Sequence, residues 1–267
     1  YEPILSESVM PIRIAFANQK GGVGKSTICT QVAFQLAIKE KKKVLVVDMD
    51  AQGNTTTVLL KGQELTGTRT VQLFDENLDK VEATETEYGI DLIGSPKNDR
   101  EGYDAESLPI SAALVPRSNL ERIWDQYDYV LIDCPPSLGR KLLSALNATK
   151  YVLCPVKLSG FAVDGLEGLF MTIFDVKEQI NHELEVLGIL INEYDQSAAH
   201  NKALAGVKEA MDDMVFDNYL RHRPPLDSAT MEGEPIWRVR NGKRAAEEMQ
   251  AVVKEMIKRI KKIESGN

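Results

Sequence analysis

The chain has few cysteines, no long apolar run and fewer basic than acidic residues. Its three cysteines, Cys29, Cys134 and Cys154, are dispersed and odd in number, which argues against a disulfide framework. No apolar stretch approaches the roughly 20 residues that a membrane-spanning helix needs, and no signal peptide is visible. The formal net charge of the chain is −8, so a surface that binds a polyanion has to be a local basic patch. From the cysteine pattern and the lack of a long apolar run or signal peptide, we expect a cytoplasmic protein.

Length and composition predict one large α/β domain. A chain of 267 residues is long enough for one large domain or two small ones, and no linker-like stretch divides it. Apolar strands alternate with amphipathic helices throughout. This pattern predicts a single-domain, mostly parallel twisted sheet with helices on both faces over residues 11–267. Residues 1–10 form a polar arm, which we expect to be disordered or foreign to the natural chain.

The stretch Lys20 to Thr27, KGGVGKST, follows the apolar run Ile12 to Ala17 and precedes an amphipathic helix. Strand, glycine-rich loop and helix in this order predict a loop that binds nucleotide phosphates, rather than a turn with incidental lysines. When its end is aligned with the ordinary G-x-x-x-x-G-K-[ST] pattern, Gln19 stands where the first glycine belongs. A second lysine, Lys20, comes next. A lysine at this position indicates one branch of the NTPases that have a phosphate-binding loop.

Each residue type in this loop suits phosphate binding. Glycines let backbone N–H groups approach phosphate oxygens, and the helix beginning near Lys25 adds its positive N-terminal end. Lys25 is placed to reach the β- and γ-phosphates of ATP, and the hydroxyl of Ser26 to ligate Mg²⁺. The predicted cofactor-binding residues of the loop are Lys20, Gly21, Gly22, Val23, Gly24, Lys25, Ser26 and Thr27.

Two further apolar strands end in carboxylates. The run Lys43 to Asp48 leads into Asp50, and the run Tyr129 to Asp133 ends in an acid of its own. Carboxyl ends of parallel strands lie at the edge where open α/β folds bind ligands. We therefore predict that Asp133 holds Mg²⁺ through water and that Asp50 orients or deprotonates an attacking water. The alternative is that these acids cap the helices that follow them.

The remaining elements follow from apolar periodicity. Further strands are predicted at Tyr88 to Ile93, Lys150 to Val156, Val186 to Asn192 and Met214 to Tyr219. Helices are predicted at Ser111 to Asp125, Ser137 to Ala148, Asp164 to Ile180, Ala199 to Met211 and Gly242 to Ile263, with a short one around Val71 to Phe74. The segment Glu101 to Pro109 is predicted to be a surface loop.

Charge is concentrated near the end of the chain. The segment from Arg221 to Lys262 has 11 Lys and Arg against 6 Asp and Glu, so it is net basic in an acidic chain. Its arginines are spaced for phosphate contacts rather than for reading bases. A solvated basic face is the alternative for such a run. The candidate residues are Arg221, Arg223, Arg238, Arg240, Lys243 and Arg244.

Three motifs, KGGVGKST, VVDMDAQGN and VLIDCPPS, resemble those of the ParA/Soj group of partition ATPases. That group belongs to the deviant Walker A class, which also holds MinD and the nitrogenase iron protein. The resemblance extends from about Ile12 to the last helix. It implies that Lys25 is the phosphate-loop lysine, that Asp50 is needed for hydrolysis and that Asp133 is the Walker B carboxylate. Lys20 is implied to reach the partner's nucleotide across a sandwich dimer. Where the family usually has proline, this chain has Ala51.

The resemblance also implies a function. It predicts an ATPase with weak basal activity that uses ATP and Mg²⁺ and forms a homodimer when ATP is bound. The dimer binds duplex DNA without sequence preference on the nucleoid, and a ParB-like centromere-binding or adaptor protein stimulates hydrolysis and release. Plasmid, chromosome or another cargo is thereby positioned. Adenine contacts are implied for Asn192 and Pro224, although an asparagine at a strand end or a proline pair is also an ordinary turn signal.

Two other function classes stay open. The last helix has an apolar stripe and basic flanks, and MinD uses such a helix to bind membranes during cell division. Here the stripe begins inside the domain and lacks Phe and Trp, so docking on the sheet is favoured over membrane contact. A redox or metal-insertion ATPase like the nitrogenase iron protein needs a cysteine pair that bridges subunits, and Cys134 has no suitably placed companion.

Overall fold

The computed structural model describes residues 10–159 and 162–266, except for the side chains of 162–164. A seven-stranded sheet lies at the centre of this part of the chain. The predicted N-terminal arm lies outside these residues except for Met10. The strands are β1 Ile12–Phe16, β2 Val44–Asp48, β3 Thr84–Glu85, β4 Ile90–Ile93, β5 Tyr129–Asp133, β6 Tyr151–Lys157 and β7 Glu185–Asn192. Their order across the sheet is β3-β4-β2-β5-β1-β6-β7, and only β3 runs antiparallel to its neighbour. The predicted fold class is confirmed.

Helices cover both faces of this sheet. They are α1 Lys25–Phe34, α2 Asn54–Leu60, α3 Arg100–Asp104, α4 Val115–Glu121, α5 Arg140–Ala148, α6 Ala162–Gln179, α7 Ala198–Met211, α8 Pro224–Glu232 and α9 Lys243–Glu264. A π-helical turn, Gln35–Lys39, extends α1. Short 3₁₀ turns occur at Thr70–Phe74, Ala105–Ser107, Ile110–Leu114, Trp124–Gln126, Asp212–Met214 and Ile236–Arg238.

The core consists of two apolar layers, one on each face of the sheet. Side chains along β1 alternate between them: Ile14 and Phe16 pack with α1 and α9, whereas Ala15 packs in the layer that contains α5 and α6. All three side chains are fully buried. Strands buried on both faces have continuous apolar sequences, which is why β1, β2 and β5 could be predicted from sequence.

The last helix, α9, docks on the sheet. Met249, Val252, Val253, Met256 and Ile260 each have at most 1% of their surface exposed, and they pack with α1 and the central strands. Docking of this helix is thus confirmed, and its apolar stripe faces the core. Within the described ranges, no helix combines the length and hydropathy needed to cross a bilayer.

The strand predicted at Met214 to Tyr219 is wrong. Val215 forms a single bridge to Ile189 of β7, and the chain then bends. The carboxylate of Glu255 on α9 causes the bend, because it accepts the N–H groups of Asp217 at 2.8 Å and Asn218 at 3.0 Å. Those donors are therefore directed toward the helix instead of toward β7.

Two backbone hydrogen bonds still join this segment to β7. The N–H of Phe216 donates to the carbonyl of Ile189 at 2.8 Å, and that of Leu220 donates to the carbonyl of Ile191 at 2.9 Å. The segment from Val215 to Leu220, here called the edge cover, therefore lies along the outer side of β7.

Replacing Glu255 by alanine is expected to lower the free energy of unfolding by about 3 kcal/mol. Its carboxylate is buried and accepts the two N–H groups of the edge cover together with the guanidinium of Arg259. The two N–H groups would lose their acceptor, and the guanidinium would keep only backbone carbonyls as acceptors. Urea unfolding measures the change, and the exposed Glu247 on the same helix is the matched control, with an expected effect within about 0.5 kcal/mol. Equal effects of the two substitutions would contradict this role.

Other predicted elements also need correction. The expected loop Glu101 to Pro109 contains α3 and a 3₁₀ turn. The expected helix Ser111 to Asp125 is broken into α4 between two 3₁₀ turns, because Pro116 has no N–H to continue a helix from the preceding turn and starts α4 instead. Sequence reasoning missed α2, which is rich in threonine, and α8, whose two prolines also begin a helix.

Candidate functional site

The predicted phosphate-binding loop connects β1 to α1 at the carboxyl edge of the sheet. Gly24 precedes α1 with a φ of 92°, a backbone conformation that residues other than glycine rarely adopt. A Cβ atom at this position would lie 2.3 Å from Nδ2 of Asn192. That amide nitrogen donates to the carbonyl of Val23 at 3.0 Å. The end of β7 therefore closes one side of the loop. Asn192 stands at that strand end, and its contact with adenine stays a prediction.

The two lysines of the loop point to different places. Lys25 is buried, and its Nζ donates to the carbonyl of Lys20 at 3.3 Å, inside the loop. Lys20 itself is exposed, and its Nζ reaches Ser159 Oγ at 3.4 Å, on the loop that follows β6. Only Lys25 is thus enclosed by its own phosphate loop.

Two buried carboxylates lie side by side behind the loop. Asp48 and Asp133 end β2 and β5 and occupy paired positions, and neither is exposed to solvent. Burial raises the pKa of Asp133, and the hydroxyls of Ser26 and Thr55 and the charge of Lys25 oppose this shift. Burial, followed by the charge of Asp133, raises the pKa of Asp48.

The carboxylate of Asp133 is only half satisfied. Its Oδ2 accepts the hydroxyl of Thr55 at 2.7 Å, whereas its Oδ1 has no hydrogen-bond partner among the described residues. A buried, unpaired carboxylate oxygen beside the Ser26 hydroxyl is a donor set that suits Mg²⁺, either directly or through water. The residues present therefore fit the metal ion predicted here.

Asp50 lies on the loop between β2 and α2, with 9% of its surface exposed. Its N–H donates to Asp48 Oδ1 at 3.1 Å, and its own Oδ1 accepts the N–H of Gln52 at 3.0 Å. One carboxylate oxygen is therefore held by the loop backbone. The aspartate lines a groove of about 480 Å³ together with the phosphate loop. The full lining is Gly21, Gly22, Gly24, Lys25, Ser26, Thr27, Asp50, Gln52, Asn54, Thr57, Val58, Lys97, Pro136 and Thr230.

Sequence reasoning missed several residues that shape this groove. Asp48 was identified as a strand end only, but its Oδ2 accepts the backbone N–H and the hydroxyl of Thr56 at 2.8 and 2.7 Å. These bonds fix the start of α2 next to the metal site. The threonine run after Asn54 was the available signal. Lys97 and Thr230 line the groove without any sequence pattern that marks them.

The proline pair begins α8 rather than ending an element. Thr230, later in this helix, reaches the groove, and its hydroxyl lies 3.4 Å from that of Thr27 on α1. The helix that contains Pro224 therefore adjoins the nucleotide groove. Contact between Pro224 and an adenine ring stays a prediction.

The basic residues are brought together only in part. Arg221, Arg223 and Arg244 line one groove, which also contains two glutamates. Arg223 is ion-paired there with Glu248 at 2.5 Å, whereas Arg221 and Arg244 are exposed.

The other three basic residues lie around the start of α9. Arg240 and Lys243 are exposed beside its first turn. Arg238 packs over the ring of Tyr88, with its guanidinium carbon 4.9 Å from the ring centroid. The six residues thus form two adjoining patches rather than one compact cluster.

All three cysteines are buried free thiols. Burial raises the pKa of Cys29 and Cys134 well above the usual value for a thiol, and it also raises the pKa of Cys154. A protonated, buried thiol is a poor nucleophile and metal ligand. Among the described residues, no group of His, Cys, Asp and Glu is arranged to hold a metal ion on its own. Each of these cysteines therefore behaves as a small buried hydrophobic residue.

Comparisons with known proteins identify the family of this chain. A family model described as an AAA domain matches residues 12–186. The chain is 34% identical to the chromosome partitioning protein ParA of Myxococcus xanthus, over 92% of this chain and 88% of that protein. It is 33% identical to the sporulation initiation inhibitor protein Soj of Bacillus subtilis, over 84% and 89% of the two chains.

A solved structure matches as well. Cobyrinic acid a,c-diamide synthase from Mycobacterium smegmatis, with bound ADP and magnesium, superposes with a TM-score of 0.66 at 29% identity. The match covers 75% of this chain and 82% of that one.

Proposed function

Because this chain belongs to the ParA/Soj family of partition ATPases, we propose that it positions a cargo by cycling between an ATP-bound dimer and an ADP-bound monomer. ATP binding, dimerisation, DNA binding and hydrolysis are the four steps of this cycle. The cargo is a plasmid, a chromosome or another large assembly. The cycle takes place in the cytoplasm, on the nucleoid.

The first step is binding of ATP with Mg²⁺. The phosphate loop offers backbone N–H groups and Lys25, and a solved relative of the same fold binds ADP and magnesium. Ser26, Asp133 and Asp50 are the residues that would hold the ion. When bound, Mg²⁺ neutralises phosphate charge and polarises the phosphate oxygens. Asn192 and Pro224 are proposed to contact the adenine.

In the hydrolytic step, Asp50 orients the attacking water or accepts its proton. Its carboxylate lines the groove, and hydrogen bonds with Asp48 and Gln52 inside the same loop orient it. Lys25 stabilises negative charge on the phosphates. We propose that basal turnover is slow and that a ParB-like or adaptor partner accelerates it, because a timing switch needs a long-lived dimer.

The exposed position of Lys20 is the main observation that supports the proposed dimer. This lysine is part of the phosphate loop, yet its ammonium group points out of it, toward Ser159. We propose that two subunits meet face to face and that each Lys20 reaches the triphosphate of the partner. Two lysines on one triphosphate then balance charge that one subunit leaves poorly compensated.

The basic patches are proposed to bind duplex DNA without sequence preference. Arg221, Arg240, Lys243 and Arg244 are exposed on a chain that is acidic elsewhere. Dimerisation doubles this surface, so affinity for DNA depends on the nucleotide. A MinD-like membrane function has less support, because the apolar stripe of α9 is buried.

Lys20→Ala is expected to weaken ATP-dependent dimerisation at least tenfold, because only this lysine contacts the partner's nucleotide in the proposed dimer. Light scattering with Mg²⁺ and a non-hydrolysable ATP analogue measures the monomer–dimer equilibrium. Lys42→Ala, an exposed lysine in the turn after α1, is the matched control and should dimerise like the wild type. Normal dimerisation of Lys20→Ala would refute the cross-subunit contact.

A further inference from the structure

A buried glutamine joins the nucleotide-binding helix to the basic segment. Gln31 lies on α1, two turns after Lys25, and is fully buried. Its Nε2 donates to the carbonyl of Glu234 at 3.0 Å, and its Oε1 accepts the N–H of Ile236 at 2.8 Å. One side-chain amide thus bonds both a backbone carbonyl and a backbone N–H of the segment that follows α8.

The segment held by Gln31 leads directly into the basic residues. A 3₁₀ turn starts at Ile236 and ends at Arg238, and the N–H of Gly242 then donates to the carbonyl of Val239 at 3.0 Å. A Cβ atom at Gly242 would lie 2.0 Å from the carbonyl oxygen of Ile236, so the turn is tightly packed against the start of α9. The segment 236–244, here called the basic turn, is therefore packed together with its anchor.

The second helix of the nucleotide groove reaches the same anchor. Lys61, at the end of α2, pairs with the carboxylate of Glu234 at 2.5 Å. That carboxylate also accepts the hydroxyl of Tyr88 at 2.7 Å, and the guanidinium of Arg238 donates to the same hydroxyl at 3.2 Å. Because α2 begins beside the metal site and α1 begins at the phosphate loop, both helices connect the groove to one residue.

We propose that Gln31 is the positioning residue through which bound nucleotide sets the placement of the basic turn. This inference rests on the proposed function, because it explains how DNA affinity follows the nucleotide. An α-helix transmits a small displacement at its first turn rigidly to its second and third turns. A shift of Lys25 and Ser26 toward phosphate and metal is thus passed to Gln31, and through two hydrogen bonds to Arg238 and Arg240.

Linkage makes the coupling reciprocal. If ATP raises the affinity for DNA by some factor through this contact, DNA must raise the affinity for ATP by the same factor. Loss of a DNA-contacting arginine behaves differently, because it lowers DNA affinity in both nucleotide states. Loss of a purely structural contact lowers stability and leaves the ratio of the two affinities unchanged.

The test replaces Gln31 by methionine, which has a similar shape and removes both hydrogen bonds. Gln35→Met is the matched control: it is the same substitution one turn later, at a buried glutamine that lines a cavity with Trp237 and Val239 of the basic turn but has no side-chain hydrogen bond to a described residue. Gln31→Asn keeps the amide but shortens its reach, and it serves as a second variant with little change in buried polarity. Backbone amide exchange over residues 229–244 is measured with and without a Mg²⁺–ATP analogue.

In the wild type and in Gln35→Met, the nucleotide is expected to slow exchange in the basic turn severalfold. Both Gln31 variants are expected to bind the analogue within about threefold of wild type but to lose this protection. Their ratio of DNA affinities with ATP and with ADP is expected to fall at least fivefold. Protection of the basic turn by nucleotide in both Gln31 variants, or its absence in the wild type, would overturn the proposal. If nucleotide protects the basic turn in the wild type but not in the Gln31 variants, and the wild type binds no DNA, the coupling is supported and the DNA-binding function is refuted.

Discussion

Asp50→Ala is expected to lower the rate of ATP hydrolysis at least about a hundredfold while the ATP-bound dimer accumulates. The carboxylate is the group proposed to orient the attacking water, and the loop backbone holds it: the N–H of Asp50 donates to Asp48 Oδ1, and the N–H of Gln52 donates to Asp50 Oδ1. ATP binding depends mainly on the phosphate loop, and it should change little. Phosphate release and light scattering on one preparation measure the two effects separately.

Asp50→Asn is the informative companion because it keeps the size and the hydrogen bond from Gln52 but cannot accept a proton. If it hydrolyses ATP like the wild type, proton transfer to Asp50 is ruled out. Asp227→Ala, an exposed acid on α8, is the matched control and should keep the wild-type rate. A wild-type rate near the ordinary enzyme median of about 10 s⁻¹ without any partner would contradict a slow switch.

Reversing the charge of Arg221 and Arg244 together, each to glutamate, is expected to weaken DNA binding by the ATP-bound dimer about a hundredfold or more near 0.1 M salt. Both side chains are exposed in one groove, so both are free to contact phosphates. Each phosphate contact contributes about 0.9 to the log–log salt slope, and the slope should fall by about two. Arg223→Ala is expected to have a smaller effect, because Glu248 already pairs with that guanidinium.

The control for this charge change is Lys258→Glu with Lys261→Glu, two exposed lysines near the far end of α9. It should keep most of the affinity and most of the salt slope. Equal losses in the two double variants would mean that net charge, not the proposed groove, drives binding. Sedimentation with anionic vesicles completes the test: ATP-dependent binding to vesicles without binding to DNA would favour a MinD-like function.

Most of the fold was predictable because its central strands are buried on both faces. The short, β-branched apolar runs at Ile12 and Tyr129 are typical of buried strands, and the stripe of α9 matches the one face that it buries. The edge cover was not predictable, because Val215 and Phe216 have strand-like composition. What bends this segment is Glu255, 38 residues away from Asp217 in the chain. No local pattern contains that information.

The residues of the candidate site were also predictable only in part. Lys25, Ser26 and Asp133 were predictable because the loop motif and the strand ends specify chemistry in consecutive residues. Thr230 comes from a helix that begins at the proline pair, which from sequence is an ordinary turn signal, and Lys97 comes from a loop after β4. Their place in the groove depends on how distant segments pack. Lys20 and Lys25 belong to one motif, yet only the structure shows that Lys20 reaches Ser159 outside the loop and Lys25 stays inside it.

The edge cover also restricts how copies of this chain can assemble. A sheet with an open outer strand can lengthen by pairing with another molecule, which is a common route to aggregates and fibres. Here the carbonyls of Ile189 and Ile191 on β7 already accept N–H groups from the cover. At the opposite margin, β3 is only two residues long and has an exposed glutamate, Glu85. Such margins give an incoming strand little to pair with. Any filament of this protein would therefore be built from side-chain contacts between whole domains, without the continuous backbone pairing that makes amyloid resist denaturants.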